Sequence, residues 1–169
     1  MVNDLVLQNK NSLLGTDDEK KQFLTMELGG HLLGLSIYTV RDVLASQQIT
    51  KIPLAPKEVL GSLNLRGRVV TAIDLKVVLN IEEEDKKDTV VKKKNMGVVV
   101  EHGNELYSFI VESVGEVLSL SASDFVTSPT NLSKNWRDLS LGICPLKGRL
   151  LIIIDITKVL KTISGANAG

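Results

Sequence analysis

Apolar and polar positions recur in the same order twice along this chain. Residues 60–79 read LGSLNLRGRVVTAIDLKVVL and residues 141–160 read LGICPLKGRLLIIIDITKVL, with nine of twenty positions identical at a spacing of 81 residues. Both copies open on Leu-Gly, carry a basic residue before a central glycine, run apolar into Ile-Asp and close on Val-Leu. A weaker pair lies upstream, where GGHLLGLSIYTVRDVL (29–44) matches GNELYSFIVESVGEVL (103–118). Two units in the same order in each half predict two related small β-subdomains in tandem.

The local pattern predicts the elements. Residues 22–37 alternate in part and break at Gly29-Gly30, which predicts a hairpin. A third short apolar stretch, 38–44, carries Arg41 and Asp42 inside it. Pro53 and Pro56 then forbid a continuous ladder or helix, so 47–67 is expected to be extended and to end in a turn. Two strands flank Gly67, and a short helix follows from Asp74 to Leu79, with Asp74 as its cap. The second half repeats the plan, with a hairpin around Gly103-Asn104 and a short helix near Ile156 to Leu160. The repeat offset grows from 74 to 81 within residues 121–140, where a surface loop can lengthen without disturbing a core. Residues 80–95 are dense in charge and predict a solvated hairpin or linker between the halves.

Composition narrows the function classes. Of 169 residues, 43% are hydrophobic, mostly Val, Leu and Ile, which favours packed strands over disorder. Each half is marginal as an independent core, so the halves are expected to share packing, with Val70, Ile73, Leu151 and Ile154 among the buried residues. Aromatic content of 4% leaves little for base stacking, and twenty basic residues balance twenty acidic ones. Binding to nucleic acid or membrane through bulk charge is disfavoured. The single Cys144 sits in an apolar run and is expected to be a buried thiol. The longest purely apolar segment, Leu150 to Ile154, has the length of a strand and not of a membrane span. No signal-peptide pattern opens the chain, and the whole reads as reduced and cytoplasmic.

Candidate chemistry is sparse. No phosphate-binding loop is present. His31 and His102 fall at corresponding hairpin positions without further ligands at metal spacing, so surface roles are expected. Asp74 and Asp155 could be a carboxylate pair for acid–base work, but each follows the same strand in its own repeat, and capping of the next turn explains both. What remains is a surface. Arg66 precedes Gly67 at the tip of a strand pair, where its guanidinium can hold a partner's carboxylate in a bidentate contact. An intramolecular pair with Asp42 is the alternative. Lys147 stands at the equivalent place in the second half and lacks the planar fork. Val40 and Val43 bracket Arg41-Asp42 and offer an apolar patch with a charged rim.

These residues carry a resemblance. ITKIPLAPKEVLGSLNLRGRVVTAIDL (49–75), with YTVRDVL (38–44) and SVGEVLSL (113–120), resembles the CheW-like family of bacterial chemotaxis coupling proteins, over essentially residues 22–161. The resemblance implies an all-β fold: two tandem SH3-like five-stranded β-barrel subdomains sharing a core, with short helices. The first subdomain is expected at about 36–95 and the second at about 96–150, with the terminal segments open to exchange between them. Residues 1–21 and 162–169 are expected to be flexible tails. The implied activity is non-enzymatic, without cofactor or metal. Such an adaptor links the cytoplasmic tip of a methyl-accepting chemoreceptor to the regulatory domain of the chemotaxis histidine kinase and so lets receptors control autophosphorylation.

The family's receptor-contact pattern carries over to Val40, Asp42, Gly61 and Arg66. Asp42 stands where glutamate is more usual, and Thr71-Ala72 where a proline is more familiar. The charged insert at 82–94 is also a departure and bears on receptor preference. Too few residues follow Lys161 for a receiver domain, and no phosphotransfer or ATPase region precedes Gln22, so a stand-alone adaptor is expected. It is expected to be monomeric when isolated, cytoplasmic, recruited to receptor arrays, and to bind no nucleic acid. A scaffold of the same fold in a non-motility pathway is the alternative.

Overall fold

The computed structural model describes residues 19–45, 47–82, 95–126 and 132–166. Among these described residues, ten strands form two five-stranded mixed sheets. In the first half, β1 (Lys21–Leu28), β2 (His31–Ser36), β3 (Val40–Leu44), β4 (Val59–Leu65) and β5 (Arg68–Asp74) lead into helix α1 (Leu75–Val78). The second half holds β6 (Met96–His102), β7 (Glu105–Val111), β8 (Ser113–Leu120), α2 (Lys134–Leu139), β9 (Ser140–Leu146), β10 (Arg149–Ile154) and α3 (Ile156–Ala166). The bulk of the charged insert, 83–94, lies outside the described residues, as do most of the N-terminal tail and 167–169.

Sheet order shows how the halves combine. One sheet runs β8-β1-β2-β10-β9 and the other β3-β6-β7-β5-β4. Adding five to each strand number, and counting on from β10 to β1, converts one order into the other, so the repeat in sequence is a repeat in space. The expected boundary near residue 96 does not divide the sheets. The hairpin β6–β7 pairs with β3 and β5, and the hairpin β1–β2 pairs with β8 and β10. The parallel pairs β5–β7 and β10–β2 sit at the centre of each sheet, where strands are covered on both faces. The order is consistent with two SH3-like units, but neither ladder closes on itself among the described residues. Isolated bridges instead tie a short strap to the β4 and β9 edges, at Thr50–Ser62 and Val126–Ile143.

Strand alternation divides the core. On β10, Ile152 and Ile154 join a large cluster that draws Met26 and Leu33 from one sheet and Ile73, Val98 and Phe109 from the other. Leu151 and Ile153, facing the opposite way, join Phe23 and Cys144 in a smaller cluster. β5 does the same, sending Ile73 to the shared cluster and Val70 with Ala72 to a small cluster of its own sheet. All four expected core residues are buried, but only Ile73 and Ile154 lie in the shared core.

Two helices depart from expectation. Helix α3 continues through Ala166, so 162–166 is not a free tail: Ile156, Val159, Leu160 and Ile163 form an apolar stripe buried on the shared core. The lengthened 121–140 segment is not merely loop, because α2 seats Trp136 and Leu139 on that core. Asp74 and Asp155 act as caps. Asp74 accepts from the Lys76 N–H at 3.0 Å and Asp155 from the Lys158 N–H at 3.3 Å. Among the described residues, no helix is long and apolar enough to cross a membrane.

Candidate functional site

The chain reverses between β4 and β5 in two residues, Arg66 and Gly67. Both lie in the left-handed region, at φ 51° and 85°, which gives the tight turn that matches strand twist. Gly67 adopts this freely, whereas a Cβ makes it strained at Arg66. Asn64 stabilises the turn by accepting the Gly67 N–H at 2.9 Å on its Oδ1. The backbone under Arg66 is therefore fixed while its side chain is 84% exposed. Lys147 does not share the positive φ. The two repeat turns differ in path as well as in side chain.

Asp42 meets Arg66 across the mouth of the sheet. The β3–β6 register shifts between Val40 and Asp42, and the displaced Arg41 pairs through Nε with Glu101 at 2.7 Å. Asp42 accepts the N–H of Val43 at 2.8 Å through Oδ1 and faces Arg66 Nη2 through Oδ2 at 3.4 Å. The intramolecular pair weighed from sequence is thus present. An exposed pair of this kind contributes only about 0–1 kcal/mol. Val40, two residues before Asp42, is half-buried and packs against the shared core.

Gly61 takes a different part. It is buried beside a register shift in β4, at φ 151°, and a Cβ there would collide with the carbonyl of Thr50. Thr50 and Ser62 exchange two backbone bonds of 2.8 Å at this point. Gly61 therefore admits the strap that runs past β4. Val40, Asp42 and Arg66 share one end of the sheet, and Gly61 sets the backbone path behind them.

Some residues of this region carry no short-range signal. Gln47 accepts from Ser108 Oγ at 3.3 Å, donates to the Leu44 carbonyl at 3.3 Å, and lies over Gly97. Sequence spacing could not pair it with residues sixty positions away. Trp136, whose ring stands 4.8 Å from that of His31, was equally unsignalled. Beyond this end of the sheet, burial raises the Cys144 thiol above its usual range, with Asp124 adding to the shift. The Ser121 backbone N–H, and then its hydroxyl, hold the exposed Asp124 carboxyl below its usual range. Among the described residues, no group of three or more His, Cys, Asp or Glu side chains could hold a metal.

With this geometry in view, the comparisons with known proteins agree. The profile of the family described as CheW-like domain matches residues 22–164. A chemotaxis protein CheW from Klebsiella aerogenes is 28% identical over 151 residues, covering 89% of this chain and 88% of that protein. One from Helicobacter pylori is 27% identical over 163 residues and covers 94% of each chain. The crystal structure of the scaffolding protein TtCheW from Thermoanaerobacter tengcongensis superposes with a TM-score of 0.69 at 28% identity. It covers 81% of this chain and 90% of that one.

Proposed function

This chain belongs to the CheW-like domain family, and from that premise we propose that it is a chemotaxis adaptor. It links the cytoplasmic tip of chemoreceptors to the regulatory domain of the chemotaxis histidine kinase, works in the cytoplasm at receptor arrays, and is a binding protein without catalysis. The names of its relatives support the pathway. One observation carries the receptor contact: Arg66 stands on a backbone fixed by Asn64 and Gly67, with most of its guanidinium free to leave Asp42 for a stronger acceptor.

A receptor carboxylate seated there would receive a charge-assisted, bidentate contact. Val40 and Asp42 border it, and Gly61 contributes through the path of β4. The Arg66–Asp42 pair is weak enough to be exchanged, which suits a contact that forms and releases.

Reconstitution with the cognate kinase and receptor-bearing membranes tests the reading. The protein is expected to bind the kinase and to make its autophosphorylation responsive to receptor state. Absence of both effects would overturn the proposal.

A further inference from the structure

The two sheets treat equivalent edges differently. On β4, Ser62 turns its N–H and C=O outward to Thr50, while Leu63 pairs inward with Val70. Antiparallel alternation therefore turns the main chain of Asn64 outward again. No backbone bond meets it there among the described residues. The repeat partner of Asn64 on β9 is Pro145, which lies opposite Leu150 as Asn64 lies opposite Val69. Proline has no N–H, and on an edge strand it blocks the addition of another strand. One edge is blocked and the other is left able to pair.

The straps differ in the same sense. Beside β9, Ser121 and Asp124 cap a 3-10 turn, and Phe125 packs edge-on against Phe23 with ring centroids 5.9 Å apart. That side chain is partly buried on the small cluster that holds Phe23 and Cys144. Beside β4, the strap brings Gln47, Gln48 and Ile49, and an open groove remains between Leu44, Gln48, Asn64 and Leu65. The groove wall is part apolar, from Leu44, Leu63 and Leu65. Arg66, the residue after Leu65, supplies a largely exposed cation at its end.

We propose that the uncovered edge of β4 at Asn64 takes up an extended peptide segment of a partner, one that carries an aliphatic residue and a carboxylate two positions apart. Two main-chain bonds to Asn64 give the pairing, the aliphatic side chain enters the groove, and the carboxylate competes with Asp42 for Arg66. Strand addition with pockets for alternate side chains is an established mode of peptide recognition. The partner is an extended segment of any protein, so the proposal does not rest on receptor coupling.

The test begins with selection from a random short-peptide display library against the full chain. Enriched sequences are expected to place an acidic residue two positions from an aliphatic one, the spacing that puts both on one face of an extended segment. Adding such a peptide should slow amide exchange at Asn64. Asn64→Pro, which copies the β9 edge, should weaken binding about tenfold. N-methylation of the peptide backbone opposite Asn64 should do the same on unaltered protein, which guards against a folding defect in the variant. Three results would each overturn the proposal: no enrichment, binding indifferent to both changes, or an Asn64 amide already protected before any peptide is added. The last would mean that the chain covers its own edge.

Discussion

Lys76 and Glu112 meet at 3.3 Å where the two sheets join, and the same Glu112 oxygen accepts the Gly29 N–H at 3.1 Å. Glu112 lies between β7 of one sheet and β8 of the other, and its own N–H reaches the Glu27 carbonyl at 3.0 Å. One carboxylate thus ties α1, the β1–β2 turn and the crossover strand. Glu112→Ala is expected to lower unfolding free energy by about 1–2 kcal/mol, the range for a partly exposed charged hydrogen bond. Urea titration measures it, and a change within error would show that the crossover holds without the carboxylate.

Arg66→Ala should leave the fold nearly untouched, because the pair with Asp42 is exposed and contributes at most about 1 kcal/mol. Receptor association should weaken by about 2–5 kcal/mol. Arg66→Lys should fall between, keeping charge but losing the planar fork. Separate titrations against receptor fragment and kinase regulatory domain decide. Unchanged receptor affinity removes Arg66 from the contact, and equal loss toward both partners points to a folding defect.

Gly61→Ala should behave in the opposite way. The added methyl meets the Thr50 carbonyl at a backbone conformation that L-residues avoid, so a loss of about 2 kcal/mol or more is expected. Thermal unfolding measures it. Weaker binding with full stability would instead make Gly61 a direct contact.

Truncations in the core should separate by location. Ile73→Ala and Ile154→Ala remove contacts between the sheets and should raise amide exchange in both, at about 2–4 kcal/mol each. Leu151→Ala and Val70→Ala should act first on their own sheet. Equal spread from all four would show that the small clusters are not separate.

Tyr107 supplies a pH dependence. Its ionisation is pushed up to about 12 from 10.0, first by burial and then by its hydroxyl's bond to Glu105 at 2.6 Å. The folded state holds this proton more tightly than the unfolded chain. The stability it confers is therefore complete below pH 10 and lost as pH rises toward about 12. Tyr107→Phe should flatten that alkaline decline in a series of urea titrations. An unchanged decline would assign it to other groups.

The sequence made the local plan legible. Each hairpin announced itself by a glycine pair, a Gly-Asn turn or a basic residue before glycine between apolar runs, and Asp74 and Asp155 sat where a cap must sit. The exposed turn position of Arg66 was legible because turn chemistry is written in adjacent residues, and its pair with Asp42 was weighed from sequence. Exchange of the terminal segments was open from the resemblance, but the pairing partners were not legible. Which hairpin β3 or β8 joins depends on surfaces distant in sequence, and alternation alone cannot name a partner strand. Gly61 was singled out for contact, yet its place depends on a close approach by Thr50 that no spacing reports. Helix α2 was missed because KNWRDL is too short for a period to emerge, and its burial comes from Trp136 meeting elements of both halves.

The interlaced order of the strands sets how this protein could be divided. Cut between β5 and β6, the first half keeps β1–β2 without β8 and β10, and β3–β5 without the hairpin that stands between them. Neither fragment holds an intact sheet, yet the two together hold every strand that both sheets need. Severed at that junction, the pieces are complementary, each a template for the other. Because the halves repeat, β1–β2 stands between β8 and β10 as β6–β7 stands between β3 and β5. The fused chain is laid out as a strand-swapped pair whose two members share one polypeptide.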